Sequence, residues 1–183
     1  MLDVKAKERL SSPVFSISNK ITRVVWGIIY ILFFKYSPVP FFSYRRLLIN
    51  IFGGSIAKNV NIYPTTKIWL PSNLIMEQGS TLGPNVNVYN QGLISIGENS
   101  IISQGVHICS STHDYEDSLH PLILAPIEIG HNVWVCADAF IGPNVIIKDG
   151  AVIGARAVLV KSTEYWSVYA GNPAIKIKDR KRF

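Results

Sequence analysis

Residues 109–122, CSSTHDYEDSLHPL, gather most of the groups in this chain that can move protons: His113 and His120, the acids Asp114, Glu116 and Asp117, and three serines. A histidine side chain has an ordinary pKa of about 6.5, so its neutral form is available at physiological pH. Neutral imidazole can take the proton of a hydroxyl as that oxygen attacks an electrophile, and the imidazolium can then protonate a leaving group. Asp114, Glu116, Asp117 or a backbone carbonyl can each orient His113 through its second ring nitrogen, and the residue types do not choose among them. His120 precedes a proline and is expected to shape the loop. His107 and His131 occupy outward positions of a repeat and are expected at the surface. The plain alternative for any of the four is a solvated histidine bonded to water.

The elements around this polar stretch are regular. Counting by six from Ile129 gives Ile129, Val135, Ile141, Ile147, Ile153 and Leu159, all aliphatic. Four places after each stands a small or β-branched residue: Val133, Ala139, Val145, Ala151, Ala157 and Thr163. The frame recurs upstream in IGENSI and ISQGVH, and with small offsets in LGPNVN and IYPTTKIWLPSN. A period of six is too long for a helix and too constant for a β-sandwich, whose strands keep no such register. It marks a solenoid in which three hexads close one triangular coil, aliphatics filling the axis and Gly and Asn turning the corners. The offsets, placed at residues 79–81 and 94–95, are expected as small corner bulges. The fold class is therefore an all-β solenoid over about residues 56–183, with a protruding loop at 111–126.

Residues 1–55 differ. VVWGIIYILFF, residues 24–34, is a continuous apolar run bracketed by Arg23 and Lys35. Eleven helical residues reach only about half of a bilayer core, so two short helices are expected, packed on the solenoid or lying in a membrane interface. The chain of 183 residues carries a net charge of +6, and its end, from Lys176 to Phe183, is rich in Lys and Arg. Such a tail suits phosphates or anionic lipid, but it lacks the interleaved aromatics of a nucleic-acid module. Two cysteines make no disulfide framework, and the first 20 residues do not read as a cleavable signal. The expected location is cytoplasmic, with peripheral contact at the inner face of a membrane as an option.

The hexads, the loop SSTHDYED, the stretch IGHNVWV and the ending YAGNPAIKI together resemble the hexapeptide-repeat acyltransferases, and among them the colanic-acid and exopolysaccharide O-acetyltransferases. The resemblance implies a left-handed parallel β-helix; handedness comes from it alone, because parallel crossovers are generally right-handed. It also implies a homotrimer with active sites between subunits, acetyl-CoA along the groove between neighbouring solenoids, no required metal, and a sugar or lipid-linked oligosaccharide acceptor. On this resemblance His113 is the catalytic base. Tyr89, Asn90 and Asp114 fall near substrate-contacting positions, with a corner turn as the other reading of Tyr89 and Asn90. Trp134, Ala137, Ala155, Lys161 and Lys178 match positions along the acetyl-CoA groove. Arg156 replaces a usually small residue there, giving either a phosphate contact or a surface change.

Three other readings share the solenoid. A serine or small-amine acetyltransferase differs only in its acceptor. A trimeric zinc carbonic anhydrase needs three histidines from two subunits, and CADAF occupies the region where that family carries its spaced pair. A non-enzymatic scaffold has no use for the His113 loop.

Overall fold

The structure, a computed structural model, describes residues 15–183; most of the N-terminal stretch read for a signal peptide lies outside the described residues. Three parallel sheets form the faces of a triangular prism. The first face holds Ser55–Ile56, Leu74–Met76, Ile94–Ile96, Ile127–Ile129 and Ile146–Ile147. The second runs from Asn61–Ile62 through Thr81–Leu82, Ile101–Ile102, Trp134–Val135 and Val152–Ile153 to Ser167–Gly171. The third holds Lys67–Ile68, Asn87–Tyr89, His107–Cys109, Phe140–Ile141 and Val158–Leu159. The architecture is the left-handed parallel β-helix that the hexads and the resemblance imply.

All six aliphatics counted from Ile129 are buried on the axis, and the small residues four places on are buried beside them. Burying an aliphatic side chain stabilises by about 1.5–3 kcal/mol, and the backbone bonds run between coils, so each coil is held by its neighbours. The corners use left-handed backbone at Asn59, Asn85, Asn99, Asn132, Asp138 and Asn144 and at several glycines.

The offsets sit elsewhere than expected. Met76 to Leu82 is an unbroken hexad, so residues 79–81 carry no bulge; Met76, buried on the axis, hides the frame because Ile75 beside it is the more conspicuous aliphatic. The extra residues lie at the corner between the third and first faces, in the 3₁₀ turn Pro71–Asn73 and at residues 90–93, just before the expected 94–95.

Before the solenoid, helix α1 (Ile17–Ile29) continues as a π-helical turn (Tyr30–Phe34), and helix α2 (Phe42–Ile51) follows. The combined helix is longer than the apolar run suggested: Ile17–Phe34 has 18 residues and is apolar enough to cross a membrane by length and composition. One side of it is docked instead. Trp26 and Phe34 are buried, and the Trp26 indole N–H donates to the Ile68 carbonyl at 2.8 Å. Helix α2 inserts Arg45, fully buried, whose guanidinium donates to the carbonyls of Ile62, Pro38 and Val39 and to Ser37 Oγ at 2.5–2.8 Å. Burial lowers its pKa, and carbonyl dipoles in place of a carboxylate hold the charge.

The C-terminal tail is ordered against the solenoid. Ala174–Asp179 pairs antiparallel with Ser167–Gly171. Lys176 bonds Glu164 and Asp179 at 2.7 and 2.8 Å, which raises its pKa, and Arg180 donates to the carbonyls of Asn132 and Gly150. Two of the five basic residues expected to be available to an anion are thus already engaged.

Candidate active site

The chain leaves the prism after His107–Cys109 and returns at Ile127–Ile129, crossing the edge between the third and first faces. The excursion is a β-hairpin: Ser111–His113 pairs antiparallel with Leu122–Leu124, with His113 opposite Leu122. Its tip is built from Asx turns in which Asp114 Oδ1 accepts the Glu116 N–H and Asp117 Oδ1 the Leu119 N–H. His120 takes left-handed backbone, φ 44°, and its carbonyl faces the His113 ring.

That carbonyl sets the chemistry of His113. His113 Nδ1 lies 2.5 Å from the His120 oxygen. A carbonyl only accepts, so Nδ1 carries the hydrogen and Nε2 keeps its lone pair. His113 is exposed, and the ring therefore presents a basic nitrogen outward from a projecting arm. Of the orienting partners open to His113, the backbone carbonyl is the one bonded.

A column of corner residues supports the hairpin base. Ser110 Oγ accepts the Gly92 N–H at 3.1 Å and donates to the Gly92 carbonyl at 2.8 Å, and the Ala125 N–H closes the hairpin onto the Ser110 carbonyl. The approach is close enough that a Cβ on Gly92 would stand 2.7 Å from the Ser110 oxygen. One coil below, Asn90 Oδ1 accepts from the Trp69 and Leu70 N–H groups, and its Nδ2 donates to the Leu70 carbonyl. Asn90 is fully buried, so its amide serves the corner, the second of the two readings the sequence left open. Tyr89 is half-buried and accepts from Gln91 Nε2 at 3.0 Å. Asp114 is partly exposed beside His113. Ser110, Gly92 and the His120 carbonyl escaped sequence reasoning. Ser110 had a signal in the 20-residue spacing of Leu70, Asn90 and Ser110; a carbonyl has none.

The residues matched to an acetyl-CoA groove lie on other parts of the prism. Trp134 stands 47% exposed on the second face, its indole N–H bonded to Ser103 Oγ. Ile101 and Val152 flank it in register, and Val168, paired with Val152, pairs in turn with Lys178. Ala137, Ala155 and Arg156 lie at the edge between the second and third faces, where the Arg156 N–H donates to the Ala137 carbonyl. Lys161 is exposed at the hairpin's own edge, two coils on. Within one chain His113 and the Trp134–Ala137–Arg156 group are thus on separate edges.

The remaining nucleophile and histidine candidates are quieter. Burial pushes the Cys136 thiol up, away from thiolate. His131 Nδ1 accepts the Glu98 N–H, so it cannot also donate to Glu77 at 3.4 Å in the neutral ring. His107 packs edge-on between Tyr89 and Phe140; burial lowers its pKa, and its Nε2 is buried without a partner among the described residues. Among the described residues no three His, Cys, Asp or Glu side chains converge as a metal site.

Residues 126–161 match the bacterial transferase hexapeptide (six repeats) family. WcaF of Escherichia coli K12, named as a colanic acid biosynthesis acetyltransferase, is 37% identical over 88% of this chain and 89% of its own length. Galactoside acetyltransferase in complex with coenzyme A superimposes with a TM-score of 0.82 at 22% identity, covering 99% of this chain and 92% of that one. The maltose O-acetyltransferase of Clostridium difficile 630 also reaches 0.82 at 22% identity, over 91% and 90% of the two chains. The structural likenesses establish the fold, and the match across nearly the whole of WcaF establishes the kinship: the chain belongs to the hexapeptide-repeat acyltransferases, as an acetyltransferase-type enzyme of the colanic-acid group.

Proposed function

We propose that the protein transfers an acetyl group from acetyl-CoA to a sugar hydroxyl during exopolysaccharide assembly. The observation that carries the reading is the His113 tautomer: an Nδ1–H held by the His120 carbonyl leaves Nε2 as an acceptor on an exposed arm. His113 Nε2 takes the proton of the acceptor hydroxyl as its oxygen bonds to the thioester carbonyl carbon. The carbonyl reforms as the C–S bond breaks, and the imidazolium returns the proton to the departing CoA thiolate. A backbone N–H beside the thioester oxygen stabilises the charge that builds there. The acceptor is proposed to be a sugar by kinship with WcaF.

The active unit is proposed to be a homotrimer. The hairpin edge and the Trp134–Ala137–Arg156 edge are separated in one chain, and a neighbouring copy brings one against the other. Trp134, Ala137, Ala155, Arg156 and Lys178 then form the wall for acetyl-CoA, with Lys161 on the hairpin side.

The test incubates the protein with acetyl-CoA and a panel of glycans, lipid-linked oligosaccharides and small amines, and identifies products by mass spectrometry. An added acetyl ester on a sugar is expected. Acetylation of amines alone, with every sugar untouched, overturns the acceptor assignment. Mixed oligomers of His113→Ala chains with Trp134→Ala chains should recover activity; failure to recover any removes the intersubunit site.

A further inference from the structure

The charge of this chain is segregated. From residue 15 to residue 67 there are seven Lys and Arg and no acid; from 68 to 147 there are seven acids and no Lys or Arg. The cationic block is the helical layer together with the first coil. The layer caps that coil: Trp26 bonds the Ile68 carbonyl, Arg45 the Ile62 carbonyl, and Arg46 the Val60 carbonyl.

The layer is two-sided. Trp26, Tyr30 and Phe34, four residues apart, pack inward with Phe52. On the opposite side Ile17, Ile21, Val24, Ile28 and Ile31 follow at alternating spacings of four and three, each more than half exposed. Leu32, Phe33, Phe41, Leu47 and Ile51 widen the apolar surface across α2. Lys20 and Lys35 flank the stripe in the open, and Lys20, Arg23 and Lys67 line a groove of about 670 Å³ beside Val24.

We infer that this face lies on an anionic lipid bilayer, its aliphatics in the headgroup–acyl boundary and its cations at the phosphates. Three observations select this occupant. A broad apolar stripe with cations and no acid is the composition of an interfacial helix. Trp26, Phe34 and Arg45 fasten the layer flat on the solenoid, so the helix lies along a surface and does not leave the protein to span. A second copy would bring the same unopposed positive charge against this one, whereas anionic headgroups neutralise it. On the reading proposed above, the helical layer, about 10 Å thick, and two coil steps, roughly another 10 Å, set the His113 hairpin about 20 Å from the lipid surface. That height suits sugars carried a few units out on a lipid-linked acceptor.

The test needs no acceptor and no turnover. Vesicles of phosphatidylcholine with and without phosphatidylglycerol are sedimented with the purified full chain at low and high salt. Binding is expected only with the anionic lipid, weakening as salt rises. Val24→Gln with Ile28→Gln, which keeps the charge, should weaken it by more than about tenfold. Lys20→Gln with Lys35→Gln should cost about fivefold per cation. Both variants should keep the wild-type melting temperature and mass by light scattering. Absence of wild-type binding to anionic vesicles at low salt overturns the assignment, as does binding that neither variant pair changes. A fall in oligomer mass on Val24→Gln with Ile28→Gln also overturns it, since the stripe is then a contact between copies.

Discussion

Coils before the hairpin advance 20 residues per turn, as Ile62, Leu82 and Ile102 show in register; those after it advance 18, from Val135 to Ile153. The axis is packed alike in both. The difference lies at one corner, where the early coils carry two extra residues between the third and first faces. Those residues make side-chain clamps within the corner, Asn90 on Leu70 and Ser110 on Gly92; the shorter corner at Gly142, Pro143 and Asn144 has no such bond among the described residues, and the last corner uses Ser162 and Thr163 to accept the Ile146 and Lys148 N–H groups of the neighbouring coil. The hairpin is rooted where the early corners end. The repeat supplies rigidity, and its departures from period supply a place to mount the arm that carries His113.

The largest effect should come from the shared axis. Ile141→Asp places an unpaired charge among residues with no access to water. The cost should be about 4 kcal/mol or more, enough to remove most of a domain's stability. Denaturant unfolding would show it; a soluble, normally cooperative Ile141→Asp protein would mean that the axis is not the structural core.

The hairpin should respond in the opposite sense, losing chemistry and keeping stability. His113→Ala removes an exposed side chain, so melting temperature and acetyl-CoA affinity should change little. Turnover should fall by about 10²–10⁴-fold, the range for a positioned acid–base group. His113→Asn should do no better, because an amide does not accept the proton. His120→Ala should stay within a few-fold of wild type, since its carbonyl and not its ring holds His113.

Between these lies the corner that joins them. Asn90→Ala leaves the buried Leu70 N–H without the partner that Asn90 supplies, at a cost of about 1–3 kcal/mol. The hairpin base shifts with it, and kcat should fall about tenfold while KM for acetyl-CoA holds. A stability loss with kcat unchanged would detach the platform from the catalytic arm.

How much of this was legible follows the same division. The axis was readable because burial imposes a strict period, and every aliphatic counted from Ile129 is inside. The loop was readable because its polarity interrupts that period. The sequence points to a corner shift at residues 79–81 because Met76 does not look like an axis aliphatic. The His113 partner is a backbone atom, invisible in any residue code. Nothing in the residue pattern marks Arg45 for burial, because its place under carbonyls depends on where α2 meets the first coil.

A smaller effect belongs to His107. Burial holds its pKa below the ordinary 6.5, so below that value the unfolded chain binds more protons than the folded one. Its contribution is complete above about pH 6.5 and is lost as pH falls toward the depressed folded value. His107→Phe keeps a ring between Tyr89 and Phe140 and cannot titrate. Melting temperatures across pH 7 to 4 should fall less steeply for this variant than for wild type.

The smallest expected change, and the one that separates structure from function most cleanly, is at Arg156. Its φ of 57° repeats that of Asn85 and Asp138 and, more broadly, of Gly105 at the same edge of earlier coils. Left-handed backbone costs a residue with a long side chain roughly 1 kcal/mol, while Asn and Gly tolerate it. The local contact that Arg156 makes, 3.8 Å to Asp138 between two exposed groups, is worth too little to offset this. Arg156→Asn should therefore stabilise the protein by about 0.5–1 kcal/mol. If the guanidinium meets a CoA phosphate in the assembled enzyme, the same change should raise KM for acetyl-CoA by about tenfold with kcat intact, the loss of one charge-assisted contact. Stability and affinity then move in opposite directions at one residue, and a strained corner is explained by what it binds. Stabilisation with KM unmoved would leave Arg156 as a surface substitution that the fold merely tolerates, and would withdraw it from the donor site.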